Sequence, residues 1–298
     1  MASSAWMSFP EMDRADLRLI RKTLDGGYRE FSRAYGDAIE SFFHPLQSFL
    51  IWFEKLLIST PWWIVLAVCA SLIYAASRSW KLTLGGIVSL LLIGYFGMWE
   101  DTMRTLSIIT VCTMLAIVIG IPVGIAMARS NRVQAGVTPL LDIMQTMPAF
   151  VYLIPVVMLL GIGKIPGLIA VVIYAIPPVI RLTNLGIRLV DKEVLEAATA
   201  FGANRKQRLW GVQLPLAMPT IMAGINQTIM MALSMVVIAS MIGVKGLGQP
   251  VLKSITNQYF TLGLLNGFAI VALAILFDRA SQAYAKRVQA HLGDNKHD

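Results

Sequence analysis

The sequence predicts an all-α integral membrane protein. It should have about seven transmembrane helices, preceded by an amphipathic helix lying in the membrane interface. Three observations lead there. Of 298 residues, 56% are hydrophobic and only 14% are charged, against roughly 45–50% and roughly 25% in a soluble domain. Seven apolar stretches come close to the roughly 20 residues that a helix needs to cross the hydrocarbon core. Lysine and arginine gather in alternate connecting segments, as they do in multi-pass proteins.

The elements follow in chain order. Residues 1–36 read as a polar tail of mixed charge without a cleavable signal pattern. In residues 37–60, Ile39, Phe42, Phe43, Leu46, Phe49, Leu50, Phe53 and Leu57 recur at helical spacing. Asp37, Glu40, Gln47, Ser48 and Glu54 fall largely on the other side, the pattern of a helix in the interface. Two accessory spans follow within 61–99, at Pro61–Ser77 and Leu82–Trp99. A core at 100–282 holds five more: Thr105–Ala128, Pro139–Gly161, Pro166–Leu182, Ala217–Gly243 and Thr261–Phe277. Residues 283–298 form a C-terminal tail. Trp62, Trp63, Trp80 and Trp99 sit at span ends, where an aromatic belt belongs.

Charge sets the expected orientation. Arg78, Lys81, Arg129, Arg132, Arg181, Arg188, Lys192, Arg205, Lys206, Arg208, Arg279, Lys286, Arg287 and Lys296 occupy one set of segments. The opposite set holds Arg104, Lys164, Lys245 and Lys253. The richer set belongs in the cytoplasm. Seven spans then put the N-terminus outside and the C-terminus inside.

Several function classes drop out. The net charge of +8 is explained by these positive cytoplasmic loops, so no nucleic-acid partner is expected. Cys69 and Cys112 lie within apolar runs, with no CxxC or metal-ligand spacing. No phosphate-binding Gly-x-x-x-x-Gly-Lys-Ser/Thr loop is present. His44, His291 and His297 all lie outside the spans, so an intramembrane hydrolase lacks its base or its metal ligands. The chain is expected not to be an enzyme, to bind no metal and to bind no cofactor.

One stretch breaks the apolar pattern: "EAATAFGANRKQRLWGVQLP", residues 196–215. Asp191 suits the N-cap of a helix over Lys192–Phe201. Gly202 suits a left-handed terminator. Asn204 suits the cap of a second short helix through Trp210, and Pro215 marks the start of the next span. Val194, Ala198 and Phe201 share a face of the first helix. Two readings stay open on this pattern alone: a solvated loop, or a rigid lever that a soluble partner grips to move two spans together.

The spacing Glu196-Ala197-Ala198, Gly202, Val212, Leu214-Pro215 resembles the signature of permease subunits of ATP-binding cassette importers. Val212 stands where that family often has isoleucine. Longer blocks over 142–163, 175–187, 213–243 and 246–249 are similar to the permeases of the glycine betaine, proline betaine and choline branch. The likeness covers roughly residues 37–285. It implies a type I importer permease core with coupling helices at 188–215. Glu196, Ala197, Ala198, Phe201, Gly202, Leu214 and Pro215 would then serve ATPase coupling. It also implies a permease homodimer, two ATP-binding cassette subunits that carry the ATP and Mg, and an extracytoplasmic substrate-binding protein, all at a bacterial inner membrane. The coupling signature alone also fits an importer of another small solute, such as an amino acid or a sulfonate. A secondary transporter would leave residues 196–215 without a purpose.

A quaternary ammonium has no hydrogen to donate, and proteins hold it on aromatic faces. Phe150, Tyr152 and Tyr174 are therefore candidates for the translocation path. So are the polar residues of the sixth span, Asn226, Gln227 and Ser234. For the polar residues the alternative is interhelical hydrogen bonding; for the aromatic ones it is packing.

The orientation is testable with a membrane-impermeant thiol reagent on intact cells, in a background lacking Cys69 and Cys112. A cysteine placed at Ser32 should be labelled and one placed at Asn204 should be spared. Labelling at Asn204 would overturn the topology.

Overall fold

The computed structural model describes residues 12–294, with side chains described as far as Arg287. Residues 1–11, Lys296, His297 and the side chain of His291 lie outside the described residues. The helices run α1 (Arg14–Ser59), α2 (Trp62–Ser77), α3 (Trp80–Tyr95), α4 (Trp99–Arg129), α5 (Asn131–Thr146), α6 (Leu153–Leu160), α7 (Lys164–Ala175), α8 (Pro177–Arg188), α9 (Lys192–Ala200), α10 (Arg205–Arg208), α11 (Leu214–Ala239), α12 (Gly248–Asn257) and α13 (Phe260–Asp294). Short 3₁₀ turns cover Ala149–Tyr152 and Ser240–Ile242, and a π turn covers Leu209–Gln213. Helices are what a lipid-embedded chain requires, because each must satisfy its own backbone hydrogen bonds.

Among the described residues, four helices are long and apolar enough to cross a membrane: α4, α7 with α8, α10 through Ile242, and α13. The fourth expected span is broken, and the first, α2, is unbroken but set off from α1 by a bend. α2 joins α1 at a bend of 110°, and α5 meets the 3₁₀ turn and α6 at 114°. Counting each bent pair as one span gives up to six. Both bends have the same cause. Thr60 precedes Pro61 and Met147 precedes Pro148, and each is extended (ψ 137° and 133°). A proline ring disfavours the helical region for the residue before it. The second expected span, α3, is apolar but has only 16 residues, about 24 Å at ~1.5 Å per residue.

Two further boundaries move. α1 begins at Arg14, so a helix occupies most of the expected polar tail. The second short helix does not stop at Trp210. It continues through the π turn into α11, and Arg205–Ile242 is one 38-residue helix.

α11 is the centre of the bundle and packs on α8, α13, α7 and α4. Its core includes Ile229, Ala232, Leu233, Met235 and Val236, set against Ile108, Ile109 and Cys112 of α4 and Ala170 and Val171 of α7. Helices in lipid gain little from hydrophobic burial and rely on close approach through small residues. At the α4–α8 crossing, a Cβ on Gly124 would stand 2.6 Å from the Thr183 Cβ and 2.8 Å from the Ile180 carbonyl. Gly120, one turn earlier, faces Val179 in the same way.

Polar contacts tie helix ends into two groups. Glu54 of α1, only 8% exposed, receives Lys164 of α7 at 2.6 Å and stands 3.7 Å from Arg104 of α4. On the opposite side of the bundle, Arg188 at the end of α8 donates to the Met127 carbonyl at 2.8 Å and to Asn131 at 2.9 Å. Arg287 of α13 donates to the Ala75 carbonyl of α2 at 3.1 Å. Arg104 and Lys164 thus meet on one side, while Arg188 meets the residues flanking Arg129. These groupings match the two sets that the charge pattern separates. α1 is held by Leu50 and Glu54, and by a 2.6 Å hydrogen bond from the Tyr28 hydroxyl to the Pro155 carbonyl. At 110° to α2, it runs close to the membrane plane if α2 stands upright.

Gly124→Ala should lower the melting temperature of the purified protein, since overpacking costs on the order of 1–3 kcal/mol. Gly136→Ala is the matched control, because nothing lies within 4 Å of its added carbon. Equal melting temperatures for the two variants would show that the crossing is not tight.

Candidate coupling site and translocation path

The exposed stretch between α8 and α11 folds as a capped helical hairpin. The Asp191 carboxylate accepts the Glu193 amide at 2.9 Å and starts α9. At the far end Gly202 takes φ +83°. Its amide donates to the Thr199 carbonyl at 2.9 Å, and the Ala203 amide donates to the Ala198 carbonyl at 3.0 Å. This pair of bonds closes a helix on a left-handed residue. Asn204 then accepts the Lys206 and Gln207 amides at 3.0 and 2.9 Å, while the Gln207 side chain accepts the Asn204 amide at 2.8 Å. That reciprocal capping box starts α10. Arg208 donates to the Thr199 hydroxyl at 2.9 Å and ties α10 back to α9.

The hairpin's base is apolar. Ile187, Val190, Leu209, Leu214, Ala217 and Ile221 form one buried cluster, with Leu195 of α9 packed against it. The base of the hairpin is therefore packed against the ends of α8 and α11. Its outer surface is different. Phe201 is 91% exposed, and Val194 and Trp210 are exposed too. Glu196, Ala197 and Gly202 are exposed, and Ala198 is half-buried. Among the described residues Glu196 takes part in no ion pair. It lines a shallow cleft with Lys192, Leu195, Thr199, Ala200 and Arg208.

Of the residues expected to couple, the structure gathers Glu196, Ala197, Ala198, Phe201 and Gly202 on the hairpin. Leu214 and Pro215 stand behind it; Leu214 belongs to the buried cluster and Pro215 is half-buried. The capping box was readable as Asn followed three residues later by Gln. The Arg208–Thr199 tie was not, since no local rule pairs residues across a turn.

The path candidates divide. Tyr152 is buried, and its ring meets that of Tyr174 edge-on at 5.7 Å and 78°. The Tyr152 hydroxyl donates to the Met144 carbonyl. Phe150 lies in the same 3₁₀ turn, with its ring exposed. Gln227 and Ser234 are exposed seven residues apart on α11, and Ala223 and Met230 share that open face. Asn226 turns the other way. It donates to the Asp278 carboxylate of α13 at 2.9 Å and accepts the Ser281 hydroxyl. This is the interhelical bonding that the sequence left as its alternative. No cluster of metal-ligating side chains occurs among the described residues.

Among the described residues the chain is all helical, with several helices apolar enough to cross a membrane and a capped hairpin between α8 and α11. Residues 116–290 match the family of binding-protein-dependent transport system inner membrane components, and the chain belongs to that family. It is thus a multi-pass inner-membrane permease subunit. It is 49% identical over 242 residues to the glycine betaine/proline betaine transport system permease protein ProW of Escherichia coli (strain K12), covering 81% of this chain and 68% of that protein. It is also 49% identical to the glycine betaine/carnitine transport permease protein GbuB of Listeria monocytogenes serotype 1/2a (strain 10403S), covering 77% of this chain and 82% of that one. Among solved structures, an inward-facing conformation of the MetNI methionine ABC transporter superposes with a TM-score of 0.57 at 22% identity, covering 62% of this chain and 93% of that one. The likeness to MetNI is one of fold.

Gly202→Val should strain the turn by about 1–2 kcal/mol, the cost of a left-handed conformation with a Cβ. The variant should insert into the membrane normally, while limited proteolysis cuts near residue 202 faster than in the parent. Equal cleavage rates would show that the turn bears no strain.

Proposed function

We propose that this permease forms the membrane pathway of an ATP-driven importer for a quaternary ammonium solute: choline, glycine betaine or proline betaine. Two copies of the chain enclose the pathway, which opens alternately to each side. Two ATP-binding cassette subunits bind ATP and Mg and dock on the hairpins. An extracytoplasmic protein delivers the solute. The N-terminus lies outside and the hairpin inside the cytoplasm, a reading that the charge pattern supports.

The observation that carries this reading is the outer surface of the hairpin. Phe201 is 91% exposed beside Glu196, which takes part in no ion pair among the described residues, on a unit capped at Asp191, Gly202 and Asn204. An exposed aromatic side chain and an exposed carboxylate on a capped projection fit a protein partner. The names of the relatives support the solute class, because their substrates carry a methylated ammonium centre. The open face of α11 with Gln227 and Ser234, and the Tyr152–Tyr174 pair with Phe150, supply the polar and aromatic groups such a pathway would use. In this reading Asn226 holds α11 to α13 and does not line the path.

The test is uptake of radiolabelled glycine betaine and choline by proteoliposomes holding the permease, its ATPase subunits and the binding protein. Uptake should require ATP. Glu196→Ala should leave membrane insertion intact but lower both ATPase capture and uptake. A charge-assisted hydrogen bond is worth about 1.5–3 kcal/mol, so capture should weaken by roughly tenfold or more. Unchanged capture and uptake would remove Glu196 from the coupling surface. ATP-independent uptake would overturn the importer reading.

A further inference from the structure

We infer that the π turn at Leu209–Gln213 is the joint on which the coupling hairpin swings against α11, and that one extra residue in the chain, at Gly211, creates it. The inference rests on the coupling reading above.

The first observation is one of register. Leu209 and Leu214 are both buried in the same apolar cluster, together with Ala217 and Ile221. From Leu214 onward the spacing is three and four, which keeps one face of an α-helix. The step from Leu209 to Leu214 is five, which in a regular α-helix would turn Leu209 about 140° away from that face. The structure resolves this by inserting a π turn, in which the Leu214 amide donates to the Leu209 carbonyl five residues back. The insertion restores Leu209 to the cluster. It also leaves Trp210 and Gly211 exposed, with nothing within 4 Å of an added Gly211 Cβ.

The second observation is chemical. Pro215 follows at once. It has no amide hydrogen to offer, and its ring crowds the carbonyl four residues back, which is that of Gly211. The wider turn gives that ring room. The Leu-Pro pair that ends the signature thus sits where a regular helix would be poorest. π turns are uncommon and cluster at places where helices must work.

Third, the joint is positioned to act. On its N-terminal side α10 is tied to α9 through Arg208 and Thr199, so the hairpin moves as one body. On its C-terminal side α11 is the central helix of the bundle. A force on the hairpin reaches α11 through this turn and through the cluster around Leu209 and Leu214.

Deleting Gly211 shortens the Leu209–Leu214 step to four and lets the helix heal while both faces are kept. Gly211→Ala keeps the extra residue and is the control. Spin labels at Lys206 and Ala223 report the angle between hairpin and α11 in the assembled complex. In Gly211→Ala and in the parent, the distance should shift between the nucleotide-free and ATP-bound complexes. In the deletion, capture of the ATPase subunits should persist, the shift should vanish, and uptake should fall by roughly tenfold, within the range of coupling losses. A deletion variant that shifts or imports like the parent overturns the inference, as does a parent that shows no shift. Loss of capture in Glu196→Ala is read separately and decides the coupling reading alone. If the deletion variant fails to assemble, hydrogen exchange on the unaltered complex carries the test. The amides of 210–214 should exchange faster than those of 217–225 and should respond to ATP. Equal protection in both segments overturns the inference.

Discussion

A chain in lipid must satisfy its backbone hydrogen bonds within its own helices, and a proline cannot take its full part in that ladder. Much of this architecture depends on how the two facts meet. Pro61 turns α1 out of line with α2, and Pro148 breaks the fourth apolar stretch. Pro215 falls beside the one π turn among the described residues. Pro122, Pro139 and Pro219 stay within helices. The difference lies in the residue before each proline: where it is extended the chain turns, and where neighbours hold it helical the span continues.

The second dependence is on close approach. α8 is pressed against α4 through Gly120 and Gly124, and against α11 through Gly186 and Gly224. Both crossings put bare backbone against a neighbouring helix and fix where α8 ends. The hairpin grows directly from that end, so its direction is inherited from the crossings. Its own caps then fix its shape: Asp191, Gly202 and Asn204 each satisfy orphan backbone groups at a helix terminus. The surface that carries Phe201 and Glu196 therefore has a geometry set by these caps.

Polar side chains in the bundle are used to fasten helices. Glu54 draws Arg104 and Lys164 to one point and secures the long α1 to the core. Breaking such a buried pair is costly even when forming it gains little. Arg188 clamps the end of α4, and Asn226 reaches Asp278 across the α11–α13 contact. Gln227 and Ser234, by contrast, share the open face of α11.

Hydropathy, charge and caps were legible in the sequence because they are local. Apolar length marks most of the spans, lysine and arginine divide the helix ends into two sets, and Asp191, Gly202 and Asn204 announce the hairpin by residue type alone. The Glu-Ala-Ala and glycine spacing puts Glu196 and Gly202 on it. What the sequence did not decide were the angles and facings. Proline is legible, but whether it bends a span depends on its neighbours, so Pro148 reads like Pro122 until the fold is known. The start of α1 was hidden because residues 14–36 lack the apolar content of a span. Asn226 and Gln227 are adjacent and chemically alike, yet helical geometry turns one to Asp278 and the other to the open face. The step from Leu209 to Leu214 was visible as a number. Only the shared cluster around them gives it a structural meaning, because burial is a property of the whole fold.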